Sequence, residues 1–379
     1  MSSFKQKKII IIGSAFPLRG GGIATFNERL AKEFKDQGHQ VSIYSFSLQY
    51  PNFLFPGKSQ FSNEQHAPDV EIKTCINSIN PFNWIKVGIS LKNENADIVI
   101  VRYWLPFMGP CLGTILRIVK KNKFSKIICI ADNIIPHEKR IGDTIFTKYF
   151  VKPVDAFVTM SSKVLEDLKT FSNKPAVKTV HPLYDNFGEI VPKAIARNKL
   201  ELPLDTPIIL FFGFIRKYKG LDILLRALKI ITEKKSIPNL KLLIAGEFYE
   251  NRSLYDNLIK ELDIEDSLIL RTEFIEDEKV KYYLSASDFV IQPYRNATQS
   301  GVTPLAYHFE KSMLITNVGG LTDMVEDGKV GLVADPNEES IAQKIEELYK
   351  FGDKYFIRNL KEEKKKYSWE KLTNTILEL

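Results

Sequence analysis

Arg216, Lys217 and Lys219 follow an apolar run in the stretch FFGFIRKYKGLDILLRAL, residues 211–228. Cations placed after a buried strand and just before a helix suit an anion. The helix N-terminus and the positive side chains would together neutralise a diphosphate, with Arg216 and Lys219 as its ligands. Gly213 closes the strand, and Gly220 leaves room for a close approach. A solvated basic loop is the competing reading of this segment taken alone.

Four further stretches have the same grammar of strand, loop and helix. In GSAFPLRGGGIATF (13–26), Gly20, Gly21 and Gly22 precede a helix and would let backbone amides approach an anion. Six residues separate Gly13 from Gly20, so the tight turn of the dinucleotide fingerprint is missing. ADNIIPHE (131–138) gathers Asp132, Asn133, His137 and Glu138 in one loop, either for acid–base work or as ordinary structural polar groups. PYRNATQSGVTPLAYHF (293–309) places Thr298, Gln299, Ser300 and Gly301 at a helix start, where they would hold part of an anionic ligand or simply cap the helix. In TNVGGLTDMVEDGKVGLV (316–333), Gly319 and Gly320 follow a strand and are expected to precede a helix.

These stretches need elements to position them. Apolar runs recur at 8–13, 40–46, 96–101, 126–131 and 155–160, then at 207–213, 240–246, 267–272, 288–294 and 313–317. They are apolar throughout rather than alternating, as strands covered on both faces should be. Amphipathic helices lie between them, with Ile23, Phe26, Leu30 and Phe34 on one face and Leu221, Leu224, Leu225 and Leu228 on another. Alternation of strand and helix predicts parallel sheets with right-handed crossovers. Two such series predict an α/β protein of two doubly wound Rossmann-like domains facing across a cleft, with ligands at the carboxyl ends of the strands. The polar stretch 181–203 has little strand character and reads as the linker.

Composition narrows the classes. The 379 residues suffice for two domains; 44% are hydrophobic and 26% charged, as in globular proteins. No run is long and apolar enough for a membrane span, and MSSFKQKK leads straight into a strand with no separate signal region, so a cytoplasmic place is expected. Cys75, Cys111 and Cys129 are too far apart for a zinc cluster and read as free thiols of a reducing compartment. A net charge of +7 favours an anionic partner, although runs such as KEEKKK at 361–366 are ordinary solvated helix faces. No basic groove with interleaved aromatics argues for nucleic acid, and no D-x-D pair, C-x-x-C, H-E-x-x-H, Walker loop or G-x-S-x-G elbow is present.

Taken in order, GGGIATFNERLAKEF, FFGFIRKYKGLDILLRAL, FIEDEKVKYYLSASDFVIQPY, ATQSGV and NVGGLTDMVEDGKVGLV resemble the retaining glycosyltransferases of family 4, which have the GT-B fold. The likeness spans nearly the whole chain. It implies an acceptor-side domain over 1–185, a nucleotide-sugar domain over 186–360, and a C-terminal helix over 361–379 that returns to the first domain with Trp369 as its anchor. It implies that Arg216 and Lys219 bind the donor diphosphate, that amides near Ser300 and Gly301 help hold phosphates and sugar, and that Gly21 and Gly22 lie where donor and acceptor meet. His137 falls where the family keeps a histidine facing the donor sugar. Two departures stand out. Thr298 and Ala306 occupy the positions of the family's E-x7-E pair, and Asp132 replaces the first histidine of H-N-x-x-P-H-E, which leaves the catalytic assignment between Asp132 and His137.

The implied reaction moves a hexose from a nucleoside diphosphate sugar to a hydroxyl of a glycan or lipid-linked acceptor with retained configuration, in bacterial cell-surface polysaccharide or glycolipid synthesis. It needs no cofactor and no obligate metal, since cations and helix ends supply the charge. Another GT-B activity (epimerase or phosphorylase) or a non-catalytic nucleotide-sugar-binding partner are the alternatives. Two segments, PFNWIKVGISLK (81–92) and LPFMGPCLGTILRIVKKNKFSK (105–126), mix apolar and basic residues. They read either as ordinary helices with a core face and a basic face or as contacts with an anionic membrane at its inner face.

Overall fold

The structure is a computed structural model, and it describes residues 5–19, 22–51, 60–62, 69–136, 140–298 and 300–379. Along the chain the first elements are β1 (Lys8–Ile12), α1 (Ile23–Asp36), β2 (Gln40–Leu48), β3 (Glu71–Asn77), α2 (Pro81–Asn93), β4 (Ile98–Tyr103), α3 (Gly109–Val119), β5 (Lys126–Ala131), α4 (Asp143–Val151), β6 (Ala156–Thr159), α5 (Ser162–Lys169) and β7 (Ala176–Lys178). Then come α6 (Lys193–Lys199), β8 (Ile208–Phe212), α7 (Leu221–Lys234), β9 (Lys241–Ala245), α8 (Ser253–Leu262), β10 (Leu268–Arg271), α9 (Asp277–Ala286), β11 (Phe289–Gln292) and α10 (Val302–His308). The chain ends with β12 (Met313–Thr316), β13 (Gly331–Ala334), α11 (Glu338–Phe351), α12 (Ile357–Glu363) and α13 (Trp369–Glu378).

The chain divides into two units. The N-terminal unit comprises Met1–His181 with Trp369–Leu379, and the C-terminal unit comprises Pro182–Ser368. The divisions thus fall at 181/182 and 368/369, where the sequence put them at 185/186 and 360/361. α12 stays with the C-terminal unit, and α13 alone joins the N-terminal one.

The N-terminal sheet has the order β3-β2-β1-β4-β5-β6-β7, and the C-terminal sheet β10-β9-β8-β11-β12-β13. Neighbouring strands pair in parallel, for example Ile9 opposite Ile98 and Phe212 opposite Ala245. This is the α/β architecture of two Rossmann-like sheets expected from the apolar runs. Central strands are dry on both faces: Ile9 to Ile12, Val99 to Val101 and Ile127 to Ala131 are fully buried. Each isoleucine or valine among them contributes about 1.5–3 kcal/mol of transfer free energy.

Three strands escaped the apolar reading. β3 and β7 are edge strands with mostly exposed or half-exposed residues, and β13, GLVA, lies inside a glycine-rich stretch at the other sheet's edge. β3 and β7 are largely open to solvent and so lack a continuous apolar signature, while β13 is buried but only four residues long. The linker reading also needs correction. It contains α6, whose Arg197 is buried and donates to the carbonyls of Ala286, Leu204 and Thr206 and to Asp288. Gly319 and Gly320 open a series of turns rather than a helix.

In the N-terminal unit, α13 lies against α1. Trp369 packs on Phe26 at 4.8 Å between ring centroids, and the Arg29 guanidinium sits 5.1 Å over the indole. Gln37 donates to the Thr373 hydroxyl at 2.7 Å.

Candidate active site

The C-terminal unit builds its site on the loops that leave β8, β9 and β11. β8 and β9 run in register to Phe212 and Ala245, after which Gly213 and Gly246 cross at close range. A Cβ on Gly246, at φ +145°, would lie 2.3 Å from the Gly213 carbonyl oxygen. Beyond this crossing the chains pair again through Ile215 and Phe248. Residues 217–219 then make one turn of 3₁₀ helix, Gly220 takes a left-handed conformation, and α7 begins.

That turn sets the two cations in different surroundings. Arg216 is exposed, with its guanidinium 5.2 Å over the Tyr249 ring, which stacks on Phe214 at 4.2 Å. Lys219 is buried, 9% exposed, with its ammonium 5.7 Å from the Tyr294 ring centroid. Its Nζ lies near Gly213, 3.1 Å from where a Cβ there would stand. Among the described residues no carboxylate meets it. Burial first, and the Arg216 charge second, push its pKa down to about 7.

The loop after β11 closes the arrangement. Tyr294 is buried and its hydroxyl lies 3.2 Å from Ser300 Oγ, which accepts from the Val302 amide at the start of α10. Thr298 is also buried, and the Tyr184 ring lies about 3.6 Å from where a Cβ on Gly301 would stand. Arg216, Lys219, Gly213, Thr298, Ser300 and Gly301 therefore all belong to loops of one unit at the carboxyl ends of β8 and β11. Gln299 lies outside the described residues. Two open concavities of this unit lie elsewhere, one bordered by Asn317, Asp327 and Lys344 and the other by Lys199, Arg271 and Tyr283. Neither includes these loops, and placement of charge rather than depth marks the candidate site.

In the N-terminal unit, Gly22 is exposed at φ +51° and begins α1. Gly20, Gly21 and His137 lie outside the described residues. Asp132 is described, and its geometry differs from that of a free catalytic carboxylate. Its Oδ2 and Oδ1 accept from Arg102 Nε and Nη2 at 2.5 and 2.6 Å, both residues being buried. Arg102 in turn lies 3.8 Å over the Phe26 ring, with its Nη1 unpartnered. Asp132 is therefore held in a buried bidentate ion pair with Arg102.

Arg102, Tyr184, Tyr249 and Phe214 were missed as candidates. A charge inside the otherwise apolar run IVIVRY was the available signal for Arg102. The three aromatics had none, since only the fold brings them to these loops.

Residues 192–367 match the family model described as glycosyl transferases group 1. That match spans nearly the whole of the C-terminal unit. Relatives extend the likeness over the whole chain. An uncharacterized glycosyltransferase of Methanocaldococcus jannaschii is 26% identical over 362 residues, covering 93% of this chain and 92% of that one. Among solved structures, sucrose-phosphate synthase of Thermosynechococcus elongatus superposes with a TM-score of 0.77 at 17% identity, over 98% of each chain. HepE of Anabaena in complex with UDP-glucose does so with a TM-score of 0.74 at 14% identity, covering 98% of this chain and all of that one. The protein is a glycosyltransferase enzyme with the two Rossmann-like sheets of the GT-B fold. Among the described residues of this glycosyltransferase, no helix is long and apolar enough to cross a membrane.

Proposed function

We propose that this glycosyltransferase moves a hexose from a nucleoside diphosphate sugar to a hydroxyl of a glycan or lipid-linked acceptor, with retention at the anomeric carbon and a role in bacterial cell-surface polysaccharide or glycolipid synthesis. The observation that carries this reading is Lys219. A buried ammonium with no carboxylate partner among the described residues, beside a second cation and a helix start, is costly unless an anion completes it. HepE, a structural neighbour, is solved with UDP-glucose, which supports a donor of that class.

In the proposed reaction the bond between the anomeric carbon and the phosphate oxygen breaks, and its electron pair leaves with the diphosphate. Arg216, Lys219 and the amides at the start of α10 stabilise the charge that develops there. The acceptor oxygen forms the new bond on the same face, and its proton passes to the departing phosphate oxygen. The Arg102–Asp132 pair keeps the carboxyl ends of β4 and β5 in place. His137 is proposed to face the donor sugar, and Thr298 and Gln299 to contact it. No metal or cofactor is assigned a step.

A thermal-shift panel of nucleoside diphosphates and their sugars tests the reading, because the true donor raises the midpoint with ligand saturation. Lys219→Ala is expected to lower transfer by about 100-fold or more, the scale of lost leaving-group stabilisation. Near-normal turnover in that variant would overturn the assignment. Nucleotide binding without turnover of any acceptor or donor would instead favour a non-catalytic partner.

A further inference from the structure

In the N-terminal sheet, β2 and β3 lie on one side of β1, and β4 to β7 on the other. Doubly wound sheets take their ligands at such a reversal, beyond the carboxyl ends of the two central strands. Gly13 follows β1 there, and Arg102 is the last residue but one of β4. Side chains alternate along a strand, so Arg102 points away from the core that Val101 and Tyr103 enter. It meets α1 instead, with its guanidinium 3.8 Å over the Phe26 ring. Asn27, the next residue of α1, is fully buried, and Arg102 is 3% exposed.

Each of these two side chains keeps one buried atom unpartnered among the described residues: Asn27 Oδ1 and Arg102 Nη1. Their other polar atoms are committed. Asn27 Nδ2 donates to the Ser14 carbonyl at 2.9 Å, a bond that only the NH2 end of the amide can make, so the oxygen is the end left over. Arg102 gives Nε and Nη2 to the two oxygens of Asp132, which leaves Nη1. Gly13 brings the two side chains together, since a Cβ on it would lie 2.5 Å from Asn27 Nδ2 and 3.3 Å from Arg102 Cβ. The loop around them is well satisfied. Ser45 Oγ accepts from the Ala15 amide and donates to the Ala15 carbonyl, and Glu28 Oε1 accepts from the Phe16 amide at 2.7 Å. Two buried groups left unmet within such a network are costly, and a third group that meets both removes the cost.

The two atoms are opposite in sense: Asn27 Oδ1 accepts and Arg102 Nη1 donates. A phosphate or carboxylate would suit the guanidinium but repel the amide oxygen, and Asp132 already balances the Arg102 charge. An ammonium would suit the oxygen and be repelled by the guanidinium. A hydroxyl serves both. We propose that the crevice between β1 and β4 is a binding site for one neutral hydroxyl group, which donates to Asn27 Oδ1 and accepts from Arg102 Nη1. Two sources share this chemistry, a hydroxyl of a sugar substrate and a water held as part of the fold. The inference stands on the hydrogen bonds of the N-terminal unit and does not depend on the donor-site reading.

The test is the crystal structure of the full chain at a resolution that shows ordered water, unsoaked and soaked in methyl α-glucoside or in inorganic phosphate. One oxygen within hydrogen-bond reach of both Asn27 Oδ1 and Arg102 Nη1 is expected. A glucoside hydroxyl that displaces the oxygen of the unsoaked crystal supports the site and makes a sugar its occupant. An oxygen unchanged by the glucoside supports it with water as the occupant. A phosphate on Arg102 Nη1, no bridging oxygen in any crystal, or Asn27 bonded directly to Arg102 would overturn the proposal. Asn27→Leu removes the acceptor at similar volume and should lose the oxygen. If that variant fails to fold, Arg102→Lys keeps a cation for Asp132, removes Nη1 and serves the same comparison. An oxygen that stays in place in the variant would also overturn it. No nucleotide enters the experiment, so its failure is distinct from failure of the donor assignment.

Discussion

Lys219 places an ammonium where water scarcely reaches. Its pKa, lowered to about 7 from 10.5, defines a pH window. Between these values the unfolded chain holds a proton that the folded chain has released, so stability rises with pH across the window, at most about 1.4 kcal/mol per unit. Lys219→Met removes both the buried cation and this rise. It is expected to stabilise the protein at pH 7 by about 1–2 kcal/mol, a gain typical where a strained functional group is removed. Binding runs the other way. A diphosphate favours the charged amine, so wild-type affinity should fall above pH 7, by up to about tenfold per unit. Calorimetric titration of a nucleoside diphosphate between pH 7.5 and 9.5, where the ligand's own charge is constant, reads this fall. A flat profile, or a Lys219→Met protein less stable than wild type, would show that the lysine serves structure instead.

At the scale of elements, the loop that carries Lys219 depends on one residue having no side chain. Gly220 sits at φ +67°, and a Cβ there would lie 2.0 Å from the Pro293 carbonyl oxygen. That carbonyl belongs to the loop after β11, so the glycine lets the loops that follow β8 and β11 touch. The contact is reinforced by the Arg295 amide, which donates to the Tyr218 carbonyl at 2.7 Å, and by the ion pair of Arg295 with Asp222. Gly220→Ala must move one loop from the other and adopt an unfavourable φ. We expect a loss of about 2–4 kcal/mol, in the range of other backbone-strain changes, together with weakened nucleotide binding. Chemical denaturation with a parallel binding titration measures both. Retained stability and affinity would mean that the two loops move freely past each other.

At the scale of the molecule, the chain's last helix completes the unit in which the chain began. Trp369, Leu372 and Ile376 are buried there, and Phe26 of α1 lies between Trp369 and His181, whose ring is 5.3 Å away. Deleting residues 369–379 uncovers this face of α1, at a cost of roughly 5 kcal/mol or more from the apolar burial alone. Scanning calorimetry should show the N-terminal unit melting earlier while the C-terminal unit keeps its transition. An unchanged first transition would show that α13 contributes no stability there.

The alternation of apolar runs and amphipathic helices by itself determined the α/β class, two doubly wound parallel sheets and ten of their strands, because a strand covered on both faces writes its burial into consecutive residues. It also marked the cationic loop at 216–219, since charge after such a run has a strong local signature. Tertiary structure decided the rest. β3, β7 and β13 are strands only because a neighbour offers hydrogen bonds, and α6 is pinned because Asp288, far along the chain, accepts from Arg197. The pairing of Asp132 with Arg102, thirty residues away, also came from the register of β4 against β5. Whether Gly220 is spacer or necessity likewise turned on Pro293. Local pattern reports how much of a segment is buried; which group meets which depends on strand order and loop closure, which no short stretch of residues encodes.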